Sequence, residues 1–285
     1  MSGYDFSSVL TTGAGGMVGA YVDFGIRPDS DQLDMLDREA TMQFVSESKP
    51  KAIIHLAGAT DMERCEREPE YAFMLNAVGT YNVAQAARSV GATLVYVSTS
   101  RVFSGDKEDP YAEDDAPDPR TNYGHSKYLA ETILRSLVPS HIIARTCWVF
   151  GGGPERDDKF YGKVLRQLNS GEIKALDDVH GSPTFGKDLV STIKKLLVEG
   201  SSGTFHVVNA GIATRYDIAR LMVDHLQSKA KVSAVERTHF KSASSLPSNE
   251  SISSTHMTLR PWQEALEEYL DTEWKQYLVE QKIIA

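Results

Sequence analysis

A doubly wound α/β fold around a parallel sheet is predicted by three observations. Short apolar runs alternate with stretches of helical periodicity, the rhythm of strand–helix–strand units. The runs Ala52-Ile53-Ile54, Leu94-Val95-Tyr96-Val97 and Ile142-Ile143-Ala144 are apolar on both faces, as buried parallel strands are. The first run, Val9-Leu10-Thr11, passes at once into a glycine-rich turn from Gly13 to Gly19. A chain of 285 residues is long enough for one large domain or two modest ones. We expect a sheet domain over 1–150 and a smaller α/β part over 151–285 that interleaves with it.

Taken in order, Ser8 to Thr11 forms a strand, and Gly13, Gly16 and Gly19 make G-x-x-G-x-x-G between that strand and a helix. Glycines there let the backbone approach a pyrophosphate, and a helix N-terminus offers it N–H donors. The next strand–helix unit is shortened. Gly25, Pro28 and Asp29-Ser30-Asp31 break any long helix, leaving a stunted first helix and a short or missing second strand around Val22–Ile26. In a dinucleotide fold this region holds the adenosine, so Arg27 is a candidate for a 2′-phosphate and Asp34 or Asp37 for ribose or adenine. Helices are expected over 37–48 and 70–90, the second carrying Asn76. The strand after Lys51 runs into His55-Leu56-Ala57-Gly58-Ala59, with His55 read as a packed residue. Residues 101–122 are a polar loop rich in Asp and Pro, suited to a lid. A strand over 141–146 leads to the turn Gly151-Gly152-Gly153. Beyond it, helices near 159–169, 186–199, 214–227 and 261–279 alternate with strands at 172–176 and 204–208. The serine-rich stretch 241–254 is expected to be mobile or wrapped over the surface.

Composition excludes several classes of function. The formal net charge of −9 argues against nucleic acid as a partner. No run reaches the apolar length of a membrane span, and Met1-Ser2-Gly3-Tyr4-Asp5 lacks a signal-peptide pattern. Cys65 and Cys147 have neither disulfide-framework nor zinc-ligand spacing, and no His/Asp/Glu cluster suggests a metal. The expected compartment is the reduced cytoplasm.

The chemistry concentrates in Tyr123-Gly124-His125-Ser126-Lys127. On a helix Tyr123 and Lys127 share a face. An ammonium beside a phenol lowers the phenol's pKa, which suits it to protonate a carbonyl oxygen near neutral pH. Ser98 or Thr99, delivered at the end of the preceding strand, is placed to hydrogen-bond the same oxygen.

These residues resemble the extended short-chain dehydrogenase/reductase superfamily, and within it the dTDP-4-dehydrorhamnose reductase family, from Val9 to about Leu270. The marks are Thr12-Gly13-x-x-Gly16-x-x-Gly19, His55-Leu56-Ala57-Gly58, Ser98-Thr99-Ser100-Arg101-Val102-Phe103, Tyr123-Gly124-x-Ser126-Lys127 and Arg145-x-x-Trp148-Val149-Phe150-Gly151. Asp178-Val179-His180-Gly181-Ser182-Pro183-Thr184 and Arg260-Pro261-Trp262 add to them. The resemblance implies a Rossmann-type sheet and reduction of the C4 ketone of a nucleotide-linked 4-keto-6-deoxy sugar by NADPH, with NADH as the other option. It implies Thr99 on the carbonyl, Tyr123 as the acid, and Lys127 on the nicotinamide ribose. Gly13, Gly16 and Gly19, with Met17 and Val18, would meet the pyrophosphate. Ala57, Gly58, Ala59, Asn76 and Ser98 would border the cofactor, and Asp34 its adenosine end. Ser100, Arg101, Trp148 and Phe160 would face the sugar. A homodimer is compatible with the family.

The chain also departs from that pattern. Ser100 and Arg101 stand where the family has an acid and an aromatic, as though the substrate carried an extra carboxylate or phosphate near Arg101. Lys159 replaces an asparagine and Val179 a glutamine. Lys159, His180 and Arg260 are further candidates for a diphosphate. Two other readings stay open: a sugar-nucleotide epimerase or dehydratase of the same fold, and a non-catalytic, reductase-like regulatory subunit.

Overall fold

The order Val9–Thr12, Ala52–His55, Thr93–Thr99, His141–Thr146, Gly203–His206 describes one sheet, parallel throughout. It belongs to a computed structural model that describes residues 3–240, 243 and 247–284. The period-two alternation of the strands sorts their side chains into two cores. Leu10, Ile53, Leu94, Tyr96 and Ile143 pack under helices Arg38–Ser48, Gly79–Val90 and Asn122–Leu137. Val9, Ile54, Val95, Ile142 and Ala144 face helix Gly186–Val198 through Leu189, Ile193 and Leu196. Each such Val, Leu or Ile side chain, fully buried, contributes on the order of 1.5–3 kcal/mol. Packing on both faces, not local propensity, therefore fixes these short strands.

The first crossover is reduced to a 3-10 turn, Val18–Tyr21. The next strand survives as one residue: Ile26 bridges Leu10, donating to Val9 O and accepting from Thr11 N, both at 2.8 Å. Gly25 makes this approach feasible, because it has φ +71° and a Cβ there would lie 2.1 Å from Val9 O. Phe6 and Phe24 lie beside the shortened unit, with the Lys194 ammonium over both rings. The polar stretch after Ile26 is a series of side-chain-capped turns. Asp29 accepts from Asp31 and Gln32 N–H, Asp34 from Leu36 N–H, and Asp37 caps helix Arg38–Ser48 by accepting from Ala40 N–H.

The helix expected over 70–90 runs unbroken from Pro69 to Val90, with a short helix before it and a change of helical type inside it. Met62–Arg67 and Pro69–Phe73 come first, then a π-helical turn at Met74–Val78, then Gly79–Val90. The π-turn supplies the extra residue that turns Asn76 inward, a device common at functional sites.

After His141–Thr146 the chain builds a third core around Phe150, Tyr161, Phe185, Tyr269 and Trp274. Strand Val149–Phe150 pairs with Thr184–Phe185, and Glu172–Leu176 lies parallel to Lys231–Val235. This later part returns helix Gly186–Val198 and strand Gly203–His206 to the main sheet. Of the serine-rich stretch, residues 241, 242 and 244–246 lie outside the described residues. From Pro247 onward it wraps the molecule and ties down the polar loop 101–122. Asn249 donates to the carbonyls of Lys107, Glu108 and Asp109, and Glu113 accepts from Ser254 and Thr255. Tyr111 stacks on Phe103 with centroids 4.4 Å apart. The loop whose composition suits a lid is thus buttressed at several points by the wrapped segment.

Candidate active site

Strand Thr93–Thr99 ends at Thr99, whose side chain accepts from Arg101 N–H as the chain enters the 3-10 turn Ser100–Val102. That turn lies directly on the start of helix Asn122–Leu137. At Gly124 a Cβ would sit 2.3 Å from Arg101 O, so the glycine of Tyr-Gly-x-Ser-Lys is required by the contact that brings strand end and helix together. Thr121 caps the helix by accepting from Gly124 N–H at 3.0 Å. On its inner face Tyr123, Lys127 and Glu131 follow at intervals of four. Glu131 is fully buried and accepts from Arg145 Nε at 3.0 Å, Arg145 Nη2 at 2.8 Å and Ser98 Oγ at 2.6 Å. Burial alone would raise this carboxyl, but the Arg145 hydrogen bonds and charge, with Ser98 and Arg135, hold it below the usual range.

Thr99, Tyr123 and Lys127 line one cavity of about 530 Å³ together with the glycine turn. Gly13, Gly16, Met17, Val18 and Gly19 form one wall, and Ala57, Gly58 and Ser98 continue it. Two of these glycines are forced by the chain itself: a Cβ at Gly13 would lie 2.5 Å from Ala57 N, and one at Gly19 would lie 2.3 Å from Ala14 O. At Gly16 the nearest atom is 3.4 Å away, so that position leaves open room at the cavity wall. Ser100, Arg101, Trp148 and Phe160 line the other end. Asp34, Ala59 and Asn76 do not line it. Asp34 is exposed and spent on its turn, Ala59 is buried, and Asn76 works from behind. Its amide exchanges hydrogen bonds with Ala59 N–H and Ala59 O and donates to Ser126 Oγ, which donates to Tyr123 O. Arg27 donates to Val22 O instead of facing a ligand, and Asp37 is a helix cap.

Two electrostatic expectations need correction. The Tyr123 phenol is pushed up to about 12, chiefly by burial, although its hydrogen bond with Thr99 and the charge of Arg101 pull the other way. Taking a phenolate out of water costs more than these partners return. Lys127 does not act as the expected partner ammonium. Its Nζ donates to Val97 O at 2.7 Å and lies 4.1 Å from the Tyr96 ring centroid, and burial lowers its pKa to about 7 against the pull of Glu131. Arg101 is buried and pairs with Glu250 at 2.8 Å, so its charge is already balanced within the protein. Ser98, the alternative to Thr99 on the carbonyl, is committed to Glu131.

His55 is packed. Its ring bridges Thr12 and Thr80, and Thr80 Oγ1 donates onward to Asn76 O, so His55 donates from Nε2 and accepts at Nδ1 from Thr12. Burial and the Lys127 charge keep it neutral, down at about 3. Arg260 is absorbed by Asp188 and Glu268, and His180 lies in the short antiparallel pair with Thr214, away from the cavity lining. Among the described residues no cluster of His, Cys, Asp or Glu suits a metal ion.

Two charged cavity residues escape sequence reasoning. Glu250 arrives on the wrapped segment, which has no periodicity to point inward. Arg215 opens helix Arg215–His225, and a signal for it did exist. A cation in the first turn opposes the helix dipole, so something other than helix stability keeps it there. Trp148 has φ +43° and lies against Gly181, where a Cβ would come within 2.4 Å of the indole. The ring that the resemblance sets beside the sugar therefore carries the Arg215 guanidinium 3.9 Å from its centroid.

Comparison with known proteins follows the same lines. The family model described as RmlD substrate binding domain matches residues 7–274. The chain is 30% identical over 278 residues to the spore coat polysaccharide biosynthesis protein SpsK of Bacillus subtilis, covering 93% of this chain and 97% of that one. A dTDP-4-dehydrorhamnose reductase structure from Yersinia enterocolitica superposes with TM-score 0.87 at 35% identity, over 93% of this chain and 98% of the other. The Bacillus anthracis dTDP-4-dehydrorhamnose reductase, solved in complex with NADP, gives TM-score 0.88 at 32% identity, over 92% and 98%.

Proposed function

The chain belongs to the RmlD substrate binding domain family, and on that premise we propose that Thr99, Tyr123 and Lys127 carry the reduction of a 4-keto-6-deoxy sugar linked to dTDP. The protein is an NAD(P)-dependent oxidoreductase that reduces the ketone of a nucleotide-activated sugar. One observation supports the residue assignment above the rest: the glycine turn, the strand-end hydroxyl and the Tyr-Lys helix face share a single cavity.

The residues present fit the reactive half of a nicotinamide cofactor. The open wall at Gly16, with Met17 and Val18, would take the pyrophosphate, and Lys127 would take the nicotinamide ribose. From Ala20 to His55 no residue lines the cavity, so the fit does not extend to the adenosine end. When bound, the cofactor supplies hydride to the carbonyl carbon. Thr99 holds the carbonyl oxygen, and Tyr123 transfers its phenolic proton to that oxygen as the C=O bond becomes C–O. A phenol at about 12 is fully protonated at neutral pH, so the acid stands loaded before each turnover. An alkoxide is a stronger base than a phenolate, so the transfer runs downhill. Arg101 and Thr99 stabilise the phenolate left behind.

The test is steady-state oxidation of NADPH with a dTDP-4-keto-6-deoxy sugar. Tyr123→Phe should lower kcat by about 10²–10⁴-fold while the calorimetric affinity for NADPH is kept. A variant turning over near the wild-type rate would remove Tyr123 from the mechanism.

A further inference from the structure

The sugar end of the cavity holds more positive charge than reduction of a ketone requires. Four cations line the cavity, Arg101, Lys127, Lys159 and Arg215, against one carboxylate, Glu250. This occurs in a chain whose formal net charge is −9. Arg101 takes Glu250, and Lys127 is turned onto Val97 O. Among the described residues Lys159 and Arg215 have no ion-pair partner. The Glu250 charge is felt at Arg215, but that carboxylate is held by Arg101.

Arg215 is also the more constrained of the two. Its guanidinium lies 3.9 Å from the Trp148 ring centroid and 4.6 Å from that of Phe160, so it is sandwiched between aromatic faces. Stacking fixes the plane of the guanidinium and leaves its N–H edge for in-plane, bidentate contact, the geometry in which arginine recognises phosphate. Trp148 is held in place by its left-handed backbone, by Gly181 beneath it and by the Tyr161 hydroxyl, which donates to Trp148 O at 3.3 Å. A guanidinium in the first turn of a helix, set against the dipole and with the nearby Glu250 carboxylate engaged by Arg101, is placed to receive an anion from outside the chain.

We propose that Arg215, stacked between Trp148 and Phe160 and assisted by Lys159, is the residue that grips the diphosphate of the sugar nucleotide and so sets the affinity for it. The assignment rests on the sugar-nucleotide reading above. It also moves the anion contact away from Arg101, the cation that the sequence pattern singles out.

Calorimetric titration of the whole protein with dTDP, thymidine and NADPH separates the possibilities. Arg215→Met should weaken dTDP by about ten- to hundredfold, the loss of one charge-assisted contact. Thymidine and NADPH affinities should stay within about twofold, and Arg215→Lys should recover part of the loss for dTDP. In turnover the Met variant should raise KM for the sugar nucleotide far more than it lowers kcat. Equal weakening of dTDP and thymidine would make Arg215 a wall residue and overturn the proposal. Unchanged dTDP affinity, or a loss confined to NADPH, would overturn it as well. Failure of the wild-type protein to bind dTDP at millimolar concentration would sink the sugar-nucleotide reading together with the arginine. The variant results, by contrast, bear on the arginine alone.

Discussion

The two sides of strand Val9–Thr12 are built to different standards. Toward Thr93–Thr99 and His141–Thr146 the sheet is complete, and helix Asn122–Leu137 is fixed several times over. Gly124 seats it on the Arg101 turn, Asn76 and Ser126 hold its first turn, and Glu131 locks its third to Arg145. Toward Ile26 the sheet is one residue wide, the crossover helix is a single 3-10 turn, and of three aspartates two cap turns and Asp37 caps a helix. The proposed reacting groups, Thr99, Tyr123 and Lys127, all come from the complete side. A dinucleotide fold can therefore shed most of its adenosine half and keep the geometry of its chemistry, because no contact that aligns Tyr123 crosses the first strand.

The largest effect should come from removing the lock on the complete side. Glu131→Ala leaves Arg145 buried without its carboxylate and frees the Ser98 hydroxyl. The expected loss is about 3–5 kcal/mol of stability in denaturant unfolding, the usual result of stranding one buried charge. A loss below about 1 kcal/mol, the range of an exposed pair, would mean that the helix is held by its other contacts and that the contrast between the two sides is overstated.

A smaller and more diagnostic effect concerns Lys127. Its folded pKa of about 7 lies below its ordinary value of 10.5, because burial disfavours the ammonium. If the ammonium is what engages the nicotinamide ribose, kcat/KM for NADPH should fall above pH 7, approaching about tenfold per pH unit. Stability should move the other way. The unfolded chain holds this proton up to 10.5 and the folded chain releases it near 7, so the Lys127 contribution to stability rises with pH across that window. Lys127→Met should flatten both trends. A kcat/KM that is level between pH 6 and 9 would show that the ammonium is not needed at the cofactor.

The unequal construction also explains what the sequence disclosed. Tyr123, Lys127, Thr99 and the glycines carry fixed spacings, and fixed spacing on a strand end or helix face is visible in one dimension. The shortening after Gly19 is visible too, because too few residues remain for a crossover. The strengths of the charges could not be read. Whether Lys127 or Arg101 acts on Tyr123, and whether Arg101 is already neutralised, depends on burial and on Glu250, 149 positions away in a segment without periodicity. The π-turn that rotates Asn76 was likewise invisible, since one extra residue in a helix leaves the apolar pattern nearly intact. Arg215 stood in plain view at a helix start but means nothing until Trp148 and Phe160 are beside it.

The smallest effects should come from the reduced side, and there the value lies in what stays constant. Asp37→Ala removes the cap that accepts from Ala40 N–H and should cost about 1 kcal/mol of stability. Asp34→Asn exchanges a turn-capping carboxylate for an amide that can still accept from Leu36 N–H, and should cost less. Neither residue lines the cavity, so neither substitution should change the ratio of NADPH to NADH affinity by more than about twofold, well under the 1.4 kcal/mol that a tenfold change represents. A tenfold change in that ratio on Asp34→Asn would show that the adenosine half of the cofactor reaches across Ile26 to this loop. The stripped side of the sheet would then be a working half of the site, and the comparison between the two sides would fail at its weaker end.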